Sequence, residues 1–185
     1  MQRLVPSKSL VLVIDVQERL AAAMPPERMA DVTRNIGVLL ASAEDLGASV
    51  LATEQYPKGL GPTIEPLGRK LHEIGAPRIE KLSFSALDAA GVTRRLDEVA
   101  PRFVIVAGME AHVCVYQTVR DLVGRGVEVH LPVDAVVSRR DVDRDVGISL
   151  CERAGAVRTT TEAIVFDWLG RAGTDAFRAI SKLVR

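Results

Sequence analysis

The stretch Phe103-Val-Ile-Val-Ala-Gly-Met-Glu-Ala-His-Val-Cys114-Val115 passes from an unbroken apolar run into the head of an amphipathic segment. Phe103 to Ala107 has no polar side chain, as expected for a strand buried on both faces of a parallel sheet. From His112 onward Val115, Val119, Leu122 and Val123 recur at helical spacing, with Gly124 or Gly126 as the stop. A thiol at Cys114 then lies at the carboxyl edge of the sheet, beside a helix N-terminus whose free N–H groups and positive dipole end favour a thiolate. Open α/β sheets bind ligands at that edge.

The same alternation extends in both directions. Leu10-Val-Leu-Val-Ile-Asp15 is a second apolar run, this one closed by an acid. Pro25-Pro26 marks a turn, and from Asp31 the positions Val32, Ile36, Leu39, Leu40, Ala43 and Leu46 predict a helix ended by Gly47. Ala48 to Thr53 and Arg78 to Lys81 read as strands, separated by a Gly- and Pro-rich loop from Gln55 to Pro66 with room for one helical turn. A helix is predicted over 93–99, a strand over 127–131, a helix over 141–154 and a last strand over 156–159. Two C-terminal helices follow, with Trp168 and Phe177 as core anchors. Strands alternating with helices predict right-handed crossovers. The expected architecture is one α/β domain over residues 1–185, a doubly wound parallel sheet with helices on both faces, a Rossmann-type three-layer sandwich.

Composition narrows the function. The 185 residues are 48% hydrophobic and 26% charged, ordinary for a globular domain. The 24 Lys and Arg balance 24 Asp and Glu, so no net charge draws the chain to nucleic acid or to an anionic membrane. The paired arginines 94–95 and 139–140 are expected on solvated helix faces. No apolar run is long enough for a membrane span, and the N-terminus lacks the pattern of a signal peptide. Cys114 and Cys151 have no zinc-type or CxxC neighbours, which points to reduced thiols and a cytoplasmic location.

Parallel strands deliver their last residues to one edge, so Asp15, Lys81 and Cys114 can converge there. A carboxylate can take the thiol proton, while a lysine keeps the carboxylate ionised and favours thiolate. In isolation each residue has a plain reading: Cys114 a small buried hydrophobe, Asp15 a cap or turn residue, Lys81 a solvated edge charge. Their joint occurrence at three strand ends, in this order, carries the functional reading. His112 is better placed to point away from the thiol than to serve as its base. Cys151 falls within an amphipathic helix as core packing, and Gly59-Leu-Gly-Pro62 lacks the strand-to-helix context of a phosphate cradle.

Asp15-Val-Gln17 after an apolar strand, Lys81 three residues before Phe84-Ser85, and Gly108-Met-Glu-Ala-His-Val-Cys114-Val resemble the isochorismatase-like cysteine hydrolase superfamily over nearly the whole chain. The segments Thr53-Glu-Gln-Tyr-Pro-Lys-Gly-Leu-Gly-Pro62 and Val133-Asp-Ala-Val-Val-Ser-Arg139 are most similar to its isochorismatase-domain-containing branch. The resemblance implies a catalytic triad of Asp15 as base, Lys81 as charge partner and Cys114 as nucleophile. It also implies a cis peptide at Met109–Glu110, with the N–H groups of Glu110 and Cys114 aimed at an oxyanion. Gln17, Tyr56, Phe84 and Met109 are the expected pocket walls.

The implied reaction is hydrolysis of a small-molecule amide or related carbonyl compound through a thioester. No cofactor is implied, and homo-oligomers are the family precedent. Nicotinamidases in that superfamily bind a metal through an Asp-x-His pair and a further histidine after the second strand. Here no histidine precedes His72, and His72, His112 and His130 lack ligand spacing, so no metal is expected. Isochorismatases that cleave a vinyl ether do not use the cysteine. Two other readings share the motif: a non-catalytic binding or scaffold protein that keeps the fold, and a thiol redox sensor at Cys114.

Overall fold

The computed structural model describes residues 2–184. Seven strands form one sheet: β1 (Ser9–Ile14), β2 (Ser49–Gln55), β3 (Arg78–Lys81), β4 (Phe103–Met109), β5 (Glu128–Pro132), β6 (Val136–Val137) and β7 (Val157–Thr159). Every pairing is parallel, in the order β3-β2-β1-β4-β5-β7. Beyond Ile105, where β5 leaves β4, the short β6 takes over and pairs with Gly108 and Met109.

Helices cover both faces. One face of the sheet packs Val11, Val13, Ala52, Phe103, Ile105, Ala107 and Met109 against α2 (Pro26–Leu46), α4 (Leu67–Glu73), α8 (Thr161–Leu169) and α9 (Asp175–Ile180). The other packs Leu10, Leu12, Ile14, Leu51, Val104 and Val106 against α5 (Ala90–Val99), α6 (Tyr116–Gly124) and α7 (Asp141–Ala154). Odd and even positions of β1 and β4 divide between the two cores because strand side chains alternate. Single helical turns at Glu18–Ala21 (α1) and Pro57–Leu60 (α3) flank the carboxyl edge.

The structure corrects several sequence expectations. The α2 helix begins at Pro26, whose fixed φ and missing N–H suit a first helical position, rather than at Asp31. The β2 and β4 strands run two residues further than predicted, and α5 starts at Ala90. Trp168 is buried and donates from Nε1 to Ser9 Oγ at 3.2 Å. Phe177 is not a core anchor: it meets the partly exposed Phe166 edge-on, and Ile180 is the buried residue of α9. The two predicted C-terminal helices are present, with 9 and 6 residues. Arg94 and Arg95 lie on α5, but Arg139 and Arg140 precede α7.

Strand order reverses between β1 and β4, so their carboxyl ends open a crevice. Gly108 makes that junction possible. Its φ is +120°, and a Cβ there would fall 2.1 Å from the Ile14 carbonyl oxygen. Gly108→Ala is expected to destabilise the protein by about 2–4 kcal/mol in urea unfolding, through both strain and displacement of β1 from β4. An unchanged unfolding midpoint would contradict this reading of the junction.

Candidate active site

Asp15, Lys81 and Cys114 come from the ends of β1, β3 and β4, and the structure brings them together. Asp15 turns the chain in a left-handed conformation (φ +50°), a region that aspartate tolerates better than most side chains. Its N–H donates to the Thr53 carbonyl at 3.1 Å, and its Oδ1 accepts from Thr53 Oγ1 at 2.7 Å. Oδ2 stands 2.6 Å from Lys81 Nζ, and neither side chain is exposed at all (0%). This oxygen has no hydrogen bond of regular geometry, so it retains a lone pair for a proton.

The ammonium is held by further oxygens. Lys81 Nζ donates to Gln55 Oε1 at 2.7 Å and to the carbonyls of Ser83 at 3.1 Å and Phe84 at 3.2 Å. The chain after β3 is fastened in turn to α6. Ser85 Oγ donates to Asp121 Oδ2 at 2.6 Å, and the Ala86 N–H donates to Thr118 Oγ1 at 3.0 Å. One helix therefore follows the thiol and also braces the lysine.

Cys114 is only 7% exposed. It belongs to a turn of π-helix, Ala111–Val115, in which the Val115 N–H reaches back to the Glu110 carbonyl. Such insertions recur where a helix must aim a functional side chain. The preceding Met109–Glu110 peptide is cis. The turn is clamped from outside. The Glu110 carboxylate accepts from the Arg139 N–H at 2.9 Å and Nε at 3.1 Å, and His112 Nδ1 pairs with Ser138 Oγ at 3.0 Å. From α7, Gly147 lies so close that a Cβ would come within 2.5 Å of the His112 nitrogen.

The expectation of a ready-made thiolate is overturned. Burial pushes the Cys114 thiol up from its usual 9.0 to about 12. The neighbouring Asp15 charge contributes to that rise, and Lys81 pulls the other way without cancelling it. Desolvation and one buried carboxylate therefore outweigh the pull of the lysine. Cys151, wholly buried within α7, is pushed up to about 12 by burial as well and packs in the core.

The expected pocket walls divide. Tyr56 and Phe84 are about half exposed, at 52% and 54%, beside the 77%-exposed Leu82. Tyr56, Pro57, Lys58, Glu80, Lys81 and Leu82 line a cavity of about 350 Å³, to which Phe84, Asp15 and Cys114 do not contribute. Gln17 is not a wall. Its Nε2 donates to the carbonyls of Gln55 at 3.0 Å and Gly61 at 2.7 Å, and its Oε1 accepts from the Gln55 N–H at 2.7 Å, so its amide is fully used as a strut. Met109 is not a wall either, because strand alternation turns it into the core on the far face from Cys114.

Thr53 and Gln55 were not anticipated as parts of the site. The register pairs Ile14 with Thr53 and Gln55 with Lys81, so polar residues at the end of an apolar strand were the available signal. Among the described residues, no group of three or more His, Cys, Asp or Glu is arranged to hold a metal ion. A separate cavity of about 330 Å³, between α2 and the start of α8, contains none of Asp15, Lys81 and Cys114.

Comparison with known proteins agrees with this fold. A family model described as the isochorismatase domain matches residues 9–163. Isochorismatase domain-containing protein 2 of Bos taurus is 35% identical over 184 residues, covering 99% of this chain and 86% of that protein. The secreted isochorismatase effector Isc1 of Phytophthora sojae is 32% identical over 186 residues, covering 99% and 87%. A solved structure described as the MAR1 ribonuclease of Caenorhabditis elegans superposes with a TM-score of 0.89 at 35% identity, covering 99% and 92%. With its switch-point crevice and a family match over most of its length, the chain belongs to the isochorismatase domain family, whose members are generally hydrolytic.

Proposed function

We propose that the protein is a metal-independent cysteine hydrolase that cleaves a small amide or related carbonyl compound through a thioester on Cys114. The observation carrying this reading is the fully buried Asp15–Lys81 pair beside a neutral thiol at the strand switch point. The pair is withdrawn from water and completed by hydrogen bonds from Thr53 and to Gln55, a setting in which a carboxylate can serve as base to an adjacent thiol.

The proposed sequence follows from those charges. As Sγ attacks the carbonyl carbon, its proton passes to Asp15, so the nucleophile is made on demand rather than stored as thiolate. The N–H groups of Glu110 and Cys114 are assigned to the developing oxyanion. Collapse of the adduct breaks the C–N bond, and the Asp15 proton leaves with the amine. Water then gives a proton to Asp15 and its hydroxide to the thioester, releasing the acid and restoring the thiol. Tyr56 and Phe84 are assigned to the mouth of the pocket.

The nematode relative is described as a ribonuclease. A basic track for phosphate would be needed here, and the balanced charge does not provide one. Most described arginines already stand against carboxylates, Arg28 on Asp141, Arg120 on Asp121 and Arg158 on Glu152 among them. A small molecule is the better substrate class. Two unpaired thiols suit a reducing cytoplasm, although the Phytophthora relative is named as secreted. No described helix is long and apolar enough to cross a membrane.

Self-association is part of this proposal. Val142 and Val146, one turn apart on α7, are 63% and 51% exposed. Replacing both with Asp is expected to shift the sedimentation coefficient toward the monomer, and a wild-type protein that already sediments as a monomer would contradict it.

Two experiments test the chemistry. A panel of amides, ureides and esters should reveal an activity that vanishes in Cys114→Ala and falls about 10²- to 10⁴-fold in Asp15→Asn and Lys81→Ala. Activity intact in Cys114→Ala would remove the mechanism. No turnover across a broad panel would favour a binding or scaffold role, and reversible peroxide oxidation of Cys114 in its place would favour a redox sensor. Independently, iodoacetamide should alkylate Cys114 ever faster as pH rises through 9.0, without levelling near neutrality, because the thiol stays protonated until about pH 12. Asp15→Asn removes a charge that raises the thiol and should speed alkylation at fixed pH. Lys81→Ala should slow it, and shifts of equal sign would contradict the assigned electrostatics.

A further inference from the structure

The geometry points to Gln55 as a positioning residue, one that holds the Lys81 ammonium against Asp15 and Cys114 without itself touching substrate. This rests on the hydrolase reading above and adds a residue to it. Four oxygens stand around Lys81 Nζ, and they come from three directions: Asp15 from β1, Gln55 from β2, and the carbonyls of Ser83 and Phe84 from the chain after β3. An ammonium has three protons to donate, so the approach of Nζ to Asp15 Oδ2 is set by how the remaining acceptors share them.

Gln55 is the side chain in this set that is itself fixed at every polar atom. Its Oε1 accepts from Lys81, and its Nε2 donates to the Leu82 carbonyl at 2.7 Å, which orients the amide with oxygen toward the ammonium. Its backbone N–H and carbonyl are both bound by the Gln17 side chain, whose amide also donates to Gly61 in the loop after β2. A neutral amide is the suitable acceptor here. A carboxylate at position 55 would compete with Asp15 for the ammonium charge, and an apolar side chain would remove the one neutral side-chain acceptor of the ammonium. The Lys81 side chain is thereby directed at Asp15, the carboxylate beside the thiol.

A double-mutant cycle on the folded, substrate-free protein tests this. The readout is the iodoacetamide rate at Cys114 as a function of pH, which needs no turnover and so fails separately from the hydrolase reading. Gln55→Leu should slow alkylation at pH 9 by about two- to tenfold, in the same direction as Lys81→Ala, because the thiol loses part of the lysine's pull. In a Lys81→Ala background, Gln55→Leu should change nothing further, since a residue that acts through another has no effect once that other is gone. Gln55→Met provides the same test should the leucine variant fold poorly. An unaltered pH profile in the wild-type background, or an equal slowing with and without Lys81, would overturn the assignment. Once a substrate is found, Gln55→Leu should lower kcat and leave KM nearly unchanged.

Discussion

Everything at the crevice depends on a carboxylate and an ammonium, 2.6 Å apart, that have no contact with water. Either charge alone would be strongly unfavourable in that position, and together they are tolerated only because further dipoles complete their shells. Thr53 bonds one Asp15 oxygen, and Gln55 with two carbonyls surrounds the lysine. The pair and these partners come from the ends of β1, β2 and β3 and from the chain just after β3, so they tie the three strands together at their carboxyl ends. Doubly wound topology provides the meeting point, since parallel strands all end on the same side and their order reverses between β1 and β4.

The thiol occupies the remaining side of this pair, and its state follows from the same balance. Desolvation and the Asp15 charge keep it protonated, against the pull of Lys81. A protonated sulfur beside that carboxylate is the arrangement on which the proposed proton transfer from Cys114 to Asp15 rests. The π-turn, the Glu110–Arg139 and His112–Ser138 clamps and the close approach of Gly147 restrain the segment that carries it. Restraint of this kind is what a site needs when catalysis depends on short proton-transfer distances.

Much of this was legible from residue order. Strands buried on both faces leave unbroken apolar runs, so β1 and β4 could be read directly, and an acid, a lysine and a cysteine at strand ends could be placed on one edge. Other features were out of reach because they depend on three-dimensional neighbours. Gln55 sits among Gly- and Pro-rich loop residues, and only the register with Lys81 gives it a partner. Gln17 looks like a pocket residue by position, yet its amide is used up by backbone groups of a loop some forty residues later. Met109 flanks the nucleophile segment in sequence but belongs to the opposite core, since neither composition nor spacing says which strand face meets which helices. The thiol's high pKa was hidden for a related reason: helix ends can be seen in a sequence, whereas burial beside a carboxylate cannot.

Infrared difference spectroscopy of the S–H stretch, with Cys114→Ala as the reference, tests the central electrostatic claim most directly. At neutral pH the account predicts an S–H band from Cys114, displaced by hydrogen bonding, whose displacement is lost in Asp15→Asn. Absence of that band, meaning a resting thiolate, or a band indifferent to Asp15→Asn, would contradict it.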